Sequence, residues 1–229
     1  EYVAKGVADI GITGLDMIAE RRADVEPILD LKFGGARLVL AVPEASAVRE
    51  VADMKGMRIA TEFPNICEDF FKAAGVDVSI VEVAGACEAA PQLGVADAIA
   101  DLTSSGTTLE INKLRIVSEV LASTTHVIAN RDSLVEKREK IDEILLAFES
   151  VMAAAGMCYL MLNVEREKLD DIKQLIPGLG GPTVMDIAGS TSVSLHAVVS
   201  SDRVYQLINQ LKNAGARDIL VLDITRMVR

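Results

Sequence analysis

Tryptophan is absent from the 229 residues, and aromatic side chains together make up only 3% of them. That poverty excludes the base-stacking platforms on which single-stranded nucleic-acid binders depend. Basic residues are also in deficit. With 23 Lys+Arg against 34 Asp+Glu the net charge is -11, so the surface repels polyanions and a DNA or RNA partner is not expected. Only two histidines occur, His126 and His196, and there is no CxxC or HExxH, which leaves no His/Cys metal cage and little material for a Ser-His-acid triad. The three cysteines, Cys67, Cys87 and Cys158, are odd in number and far apart, the pattern of reduced cytoplasmic thiols and not of a disulfide framework. No long run is free of interruption: the most apolar stretch, 144 to 164, carries Glu149 and Gly156, so neither a signal peptide nor a membrane span is expected.

What is present is an Ala/Val/Ile/Leu-rich chain, half hydrophobic and a quarter charged, long enough for two or three compact units. Strand patterns fall at 8–13, 37–42, 57–61, 78–83, 96–102 and, in two pieces, 115–130. Helical patterns lie between them at 66–74, 87–93 and 107–113. This alternation predicts an α/β, mostly parallel, doubly wound arrangement, in which ligands gather at the carboxyl ends of strands. A long amphipathic helix over 131–156, capped by Asp132 or Ser133 and stopped by Gly156, leads into a second kind of order. From Met157 the pattern is strand, helix, strand, strand, helix, strand, the βαββαβ order of a ferredoxin-like unit of about 70 residues. The chain opens on "EYVAKG", without an initiating Met and like the last turns of a helix ending at Gly6, so an N-terminally incomplete chain is expected.

The stretch "DLTSSGTTL" at 101–109 concentrates the chemistry. A strand delivers Asp101 to a sheet edge, and a helix can start at Thr107. Backbone N–H groups at such a start hold an anion without a basic side chain, which suits an acidic protein. Thr103, Ser104, Ser105, Thr107 and Thr108 add hydroxyls, and Gly106 lets the backbone close around a phosphate. Asp101 beside an anion makes sense if it serves a ribose hydroxyl or a bound Mg²⁺ attached to that anion. No Lys follows the glycine, so this is not a Walker A loop, and an ordinary Ser/Thr-rich capped turn is the competing reading.

The run from Glu88, "EAAPQLGVADAIADLTSSGTTL", resembles the signature segment of ATP phosphoribosyltransferases, the first enzyme of histidine biosynthesis. Further blocks resemble that family in order along the chain: "VADIGITGLDMIAE" (7–20), "LKFGGARLVLAVPE" (31–44), "RIATEFPN" (58–65), "VIANRDS" (127–133), "YLMLNV" (159–164), "PGLGGPTV" (177–184) and "GARDILVLDI" (215–224). The sequence departs from the family at Ala36, where a cysteine is frequent, and at Glu68 and Asp69, where basic residues follow the "PN" pair.

The resemblance implies a two-lobed catalytic part like a type II periplasmic binding protein, and a C-terminal ferredoxin-like, ACT-type domain of the family's long form. On that reading residues 1–43 and 122–155 form lobe I, 44–121 form lobe II with the phosphoribosyl loop, and 156–229 form the regulatory domain. The implied reaction joins N1 of ATP to C1 of phosphoribosyl pyrophosphate, with Mg²⁺ present and pyrophosphate leaving. Thr103 to Thr108 would cradle the 5′-phosphate, Asp101 would hold the ribose hydroxyls, and Glu88 would face the ribose or the metal. Gly11, Thr13, Gly14 and Asp16 form a second candidate substrate loop, while Thr61, Glu62, Pro64 and Asn65 carry a weaker signal. Asn163, Thr183 and Asp218 would bind histidine as feedback inhibitor, and the chain would assemble into dimers and hexamers in the cytoplasm. Family members begin with a further phosphate-contacting loop, so the chain by itself is expected to have a half-built cleft and little activity. A non-catalytic two-lobed binding module is the alternative, because fold alone does not fix function.

Overall fold

The computed structural model describes residues 1–176 and 179–228. Two compact units divide within a helix, the first ending at Ile141 and the second starting at Asp142. The first two residues of the block 177–184 lie outside the described residues.

The first unit contains two sheets. β1 (Ile10–Gly14), β8 (Thr125–Ala129) and β2 (Glu26–Asp30) form an antiparallel three-stranded sheet in the order β1-β8-β2, with α1 (Leu15–Arg21) following β1 directly. The second sheet has five strands in the order β5-β4-β6-β3-β7: β3 (Ala36–Pro43), β4 (Arg58–Thr61), β5 (Ser79–Glu82), β6 (Ala98–Thr103) and β7 (Leu114–Ser123). The chain crosses between the sheets twice, before β3 and between β7 and β8. These crossings are bonded to one another: the Leu31 N–H donates to the Thr125 carbonyl at 2.9 Å, and the Thr125 N–H donates to Phe33 at 3.0 Å. Gly34, at φ 65°, lies so close that an added Cβ would stand 2.6 Å from Thr125 Oγ1.

Both faces of the larger sheet are covered, which is why β3 reads as a continuous apolar run instead of an alternating one. Leu38, Leu40 and Val42 pack with Phe71 and Cys67 of α2 (Pro64–Ala74), whereas Val39 and Ala41 pack on the other side with Cys87, Ala90 and Leu109. The sheet is mixed, not mostly parallel. Only β4 with β5 and β4 with β6 pair in parallel, while β3 is antiparallel to both its neighbours. Parallel neighbours need a covering crossover such as α2; β3 and β7 connect instead to the segments that cross between sheets and run against the strands beside them. Pairing also places residues 36–43 with the strands of 44–121, and not with the three-stranded sheet as expected.

The helix expected over 131–156 is interrupted at Lys137 into α4 (Arg131–Glu136) and α5 (Arg138–Ala154). Its cap is neither Asp132 nor Ser133. Asn130 Oδ1 accepts from both of their backbone N–H groups, at 3.0 and 3.2 Å, and the Ser133 hydroxyl is turned to Asp9 at 2.7 Å. The 87–93 helix is reduced to one 3₁₀ turn at Cys87–Ala89 ahead of Pro91.

The second unit has the expected ferredoxin-like arrangement. β9 (Met157–Glu165), β10 (Thr183–Asp186), β11 (Ser192–Ser200) and β12 (Arg217–Asp223) pair antiparallel in the order β10-β11-β9-β12. α6 (Leu169–Leu175) follows β9, and α7 (Val204–Asn213) follows β11. β9 alternates strictly: Cys158, Leu160, Leu162 and Val164 are buried against Ile172, Leu207 and Leu211 of the two helices, and the intervening residues face the other way.

Candidate active site

Strand β6 ends at Thr103, and α3 (Thr107–Ile111) starts four residues later, so Ser104, Ser105 and Gly106 make the whole connection. Gly106 closes it at φ 84° with open space where a Cβ would be, so the glycine is needed for its backbone angle and not for room. The Thr103 hydroxyl accepts from the Gly106 N–H at 2.8 Å and the Ser105 hydroxyl contacts that of Thr107 at 3.0 Å, and these two bonds brace the turn. Ser104, Ser105, Thr107 and Thr108 are exposed, with their hydroxyls at the helix start.

Asp101 is half-buried, and Oδ1 accepts from the Leu102 N–H at 2.8 Å. Burial raises its proton affinity above the ordinary carboxylate range, that backbone bond opposes the rise, and the charges of Glu88 and Glu62 add to it. Asp101 and Glu88, both expected in the site, therefore share one electrostatic neighbourhood, and Glu62, which carried the weaker sequence signal, belongs to it as well. The Glu62 carboxylate accepts from the Gly85 N–H, which ties the end of β4 to the turn carrying Glu88. Beneath them the Cys87 thiol is pushed up to about 12, first by burial and then by these same carboxylates. Among the described residues no group of three or more His, Cys, Asp or Glu side chains is arranged to hold a metal ion.

The "GITGLD" loop is held differently. Gly11 lies under Val3, 2.9 Å from where its Cβ would be, which is a packing need. Thr13 pairs with His126 in the β1–β8 ladder. Asp16 accepts from the Ser123 hydroxyl at 2.6 Å while its own N–H donates back to that oxygen at 3.0 Å, joining the start of α1 to the second crossing. Gly14 makes room for this, since a Cβ there would stand 2.1 Å from Asp16 Oδ1. Among the described residues no hydrogen bond joins this loop to the 103–108 loop.

A cleft of about 750 Å³ in the same unit is lined by Glu20, Arg21, Arg22, Glu62, Asn65 and their neighbours. Glu20 was not singled out from the sequence, because an acid at the end of a short helix reads as a solvated charge. Asp69 pairs with Arg22 at 2.9 Å in an exposed ion pair. In the second unit, Asn163 Nδ2 donates to Asp218 Oδ2 at 3.0 Å. Asp218 reaches it from a β-bulge, at φ 52°. Thr183 is on β10, opposite His196, and two strands, β11 and β9, lie between it and the strand of Asp218.

The family model for ATP phosphoribosyltransferase matches residues 1–150, and that for the family's C-terminal domain matches residues 154–226. The chain belongs to the ATP phosphoribosyltransferase family. The ATP phosphoribosyltransferases of Methanosarcina acetivorans and Methanococcoides burtonii are each 50% identical to it, over 100% of this chain and 80% of theirs. Among solved structures, the ATP phosphoribosyl transferase (HisG:HisZ) complex from Thermotoga maritima matches with a TM-score of 0.59 at 34% identity, covering 65% of this chain and 72% of that one. Family membership makes the chain an enzyme, a phosphoribosyltransferase, and the C-terminal match falls on the ferredoxin-like unit. No helix among the described residues is long and apolar enough to cross a membrane.

Proposed function

We propose that this chain carries the phosphoribosyl transfer of its family, joining N1 of ATP to C1 of phosphoribosyl pyrophosphate in histidine biosynthesis. As the N1–C1 bond forms, the bond from C1 to the pyrophosphate oxygen breaks. The observation that carries the reading is the hydrogen-bonded turn from Thr103 to Thr108, one residue after Leu102 and two after Asp101, in a chain that the family model matches across that segment. On this reading the exposed hydroxyls and the α3 N–H groups take the 5′-phosphate, and Asp101 takes the ribose hydroxyls. Positive charge grows on the ribose as pyrophosphate departs, and the mutually repelling carboxylates of Asp101, Glu88 and Glu62 supply fixed negative potential for it. Gly11, Thr13, Gly14 and Asp16 form the second substrate-binding loop of this reading, with Asp16 held by the Ser123 hydroxyl.

The described residues form no protein-built cage for Mg²⁺. Mg²⁺ bound to substrate phosphates needs only one or two protein carboxylates, and Glu88 or Asp101 would supply them. In the second unit, the Asn163–Asp218 pair offers an amide and a carboxylate to the amino and carboxyl groups of histidine, the proposed inhibitor, with Thr183 on the same sheet. Assembly through copies of this chain, as dimers and hexamers in the cytoplasm, is part of the same reading.

The test is calorimetric titration of phosphoribosyl pyrophosphate with Mg²⁺ into the chain and into an Asp101→Ala, Thr108→Ala double variant. Binding that the double variant loses supports the site. Equal binding by both overturns it. For the second unit, millimolar histidine raises the unfolding midpoint of the chain and leaves that of Asn163→Ala unchanged.

A further inference from the structure

Glu20 belongs to α1, beside the three-stranded sheet, but its carboxylate ends on α2, beside the five-stranded one. Oε1 accepts from the Asn65 N–H at 3.1 Å and from Asn65 Nδ2 at 3.2 Å, and Oε2 accepts from the Ile66 N–H at 3.1 Å. The Glu20 backbone carbonyl accepts again from Asn65 Nδ2 at 3.0 Å. Asn65 and Ile66 are the second and third residues of α2, where helical N–H groups have no partner within the helix. Glu20 is only 7% exposed, so these bonds are shielded from water.

A helix start is ordinarily capped by the residue just before it, most often Ser, Thr, Asp or Asn. Here that residue is Phe63, which makes no side-chain cap and is buried in the core of the larger sheet. The cap position is thus spent on packing, and the cap comes from α1, 45 residues away in sequence, whose Ile18 packs with Ile128 of the smaller sheet while Ala19 packs on the core of the larger one. Arg22, two residues after Glu20, adds the exposed ion pair to Asp69 one turn further along α2. Glu20, Arg22 and Asn65 line the same cleft as Glu62.

We propose that Glu20 is a positioning residue, an interlobe catch: the first turn of α2 is capped only while the two lobes are together, so opening the cleft uncaps α2 and loosens the Thr61–Asn65 segment at its wall. The coupling is reciprocal, because whatever holds the cap also holds the lobes. This goes beyond the substrate assignment and does not depend on which ligand the cleft takes.

The test uses spin labels on Val135→Cys in α4 and Lys55→Cys, an exposed residue ahead of β4. The three native cysteines are buried, so the labels go to the introduced ones. Pulsed dipolar spectroscopy on the otherwise natural chain gives one narrow distance. Glu20→Gln and Glu20→Ala each enlarge a longer-distance population about tenfold or more, as expected for loss of charge-assisted hydrogen bonds. Amide exchange at Asn65 and Ile66 speeds by a similar factor. A purely local cap would speed that exchange and leave the distance unchanged, and this result overturns the proposal. Should Glu20→Ala fail to fold by circular dichroism, Asn65→Ala removes the two contacts made by Nδ2 and is read in the same way. An unaltered distance in that variant also overturns it.

Discussion

Replacing Gly14 by alanine isolates one contact. Gly14 has φ -73° and ψ 150°, a conformation open to any residue, so alanine meets no backbone penalty. The added methyl would instead lie 2.1 Å from Asp16 Oδ1 and 3.2 Å from its Cγ, far inside van der Waals contact. Asp16 must rotate away, and it then loses the 2.6 Å bond from the Ser123 hydroxyl. Ser123 is only 4% exposed, so water does not replace the carboxylate. A hydrogen bond to a charged acceptor contributes about 2 kcal/mol, which in a chain of this size is about 4–8 °C in unfolding midpoint. Thermal unfolding of Gly14→Ala, Asp16→Ala and the double variant closes the cycle. If Gly14 acts only by making room for Asp16, the double variant melts with Asp16→Ala alone and the coupling is about 2 kcal/mol. Losses that add to within about 0.5 kcal/mol, or a neutral Gly14→Ala, refute the reasoning.

Further outcomes follow from burial and charge. Leu160→Ala, fully buried in the ferredoxin-like core, lowers the stability of the second unit by about 2–5 kcal/mol, read from its circular-dichroism melt; a loss below about 1 kcal/mol contradicts the packing described. Asp101 has a folded proton affinity raised above the unfolded value near 3.8, so the folded state binds more protons, and the stability this group contributes is present below that pH and lost as pH rises through the folded value. Asp101→Asn therefore melts higher than the natural chain at pH 7, and the gap closes as the pH is lowered towards 4; a gap that widens on acidification reverses the sign. The Cys87 thiol at about 12 and the Cys67 thiol at about 11, both raised chiefly by burial, are almost entirely protonated at pH 8. Iodoacetamide leaves both unmodified in the native chain and labels all three cysteines in denaturant, and early labelling of Cys87 would show that its burial is wrong.

How much was readable depended on the range of the forces involved. The turn at 103–108 was legible because glycine, hydroxyls and a following helix start act within six residues, and Gly106 does adopt the positive φ expected of it. The βαββαβ order was equally plain, since β9 and α7 carry clean periods of two and about 3.6. Strand direction in the larger sheet was not, because the apolar run of β3 says that both faces are covered but nothing about its neighbours. Asn130 was passed over as a cap in favour of Asp132 and Ser133, three good capping residues competing within four positions. Glu20 was invisible for a different reason: its partners are supplied by an element 45 residues on, and no local pattern records that.

The bulge that carries Asp218 to Asn163 also shapes the free border of its sheet. β12 is a terminal strand with Leu220, Val221 and Leu222 about half exposed, the composition that invites another chain to add a strand. At Asp218 the ladder to β9 slips, and regular pairing resumes only at Leu220, so four residues remain as an uninterrupted template. The bulge thereby confines the regular part of this edge to residues 220–223 and twists its start. The same backbone irregularity that assembles a polar pair on the sheet thus also shortens the regular edge along which another strand could pair.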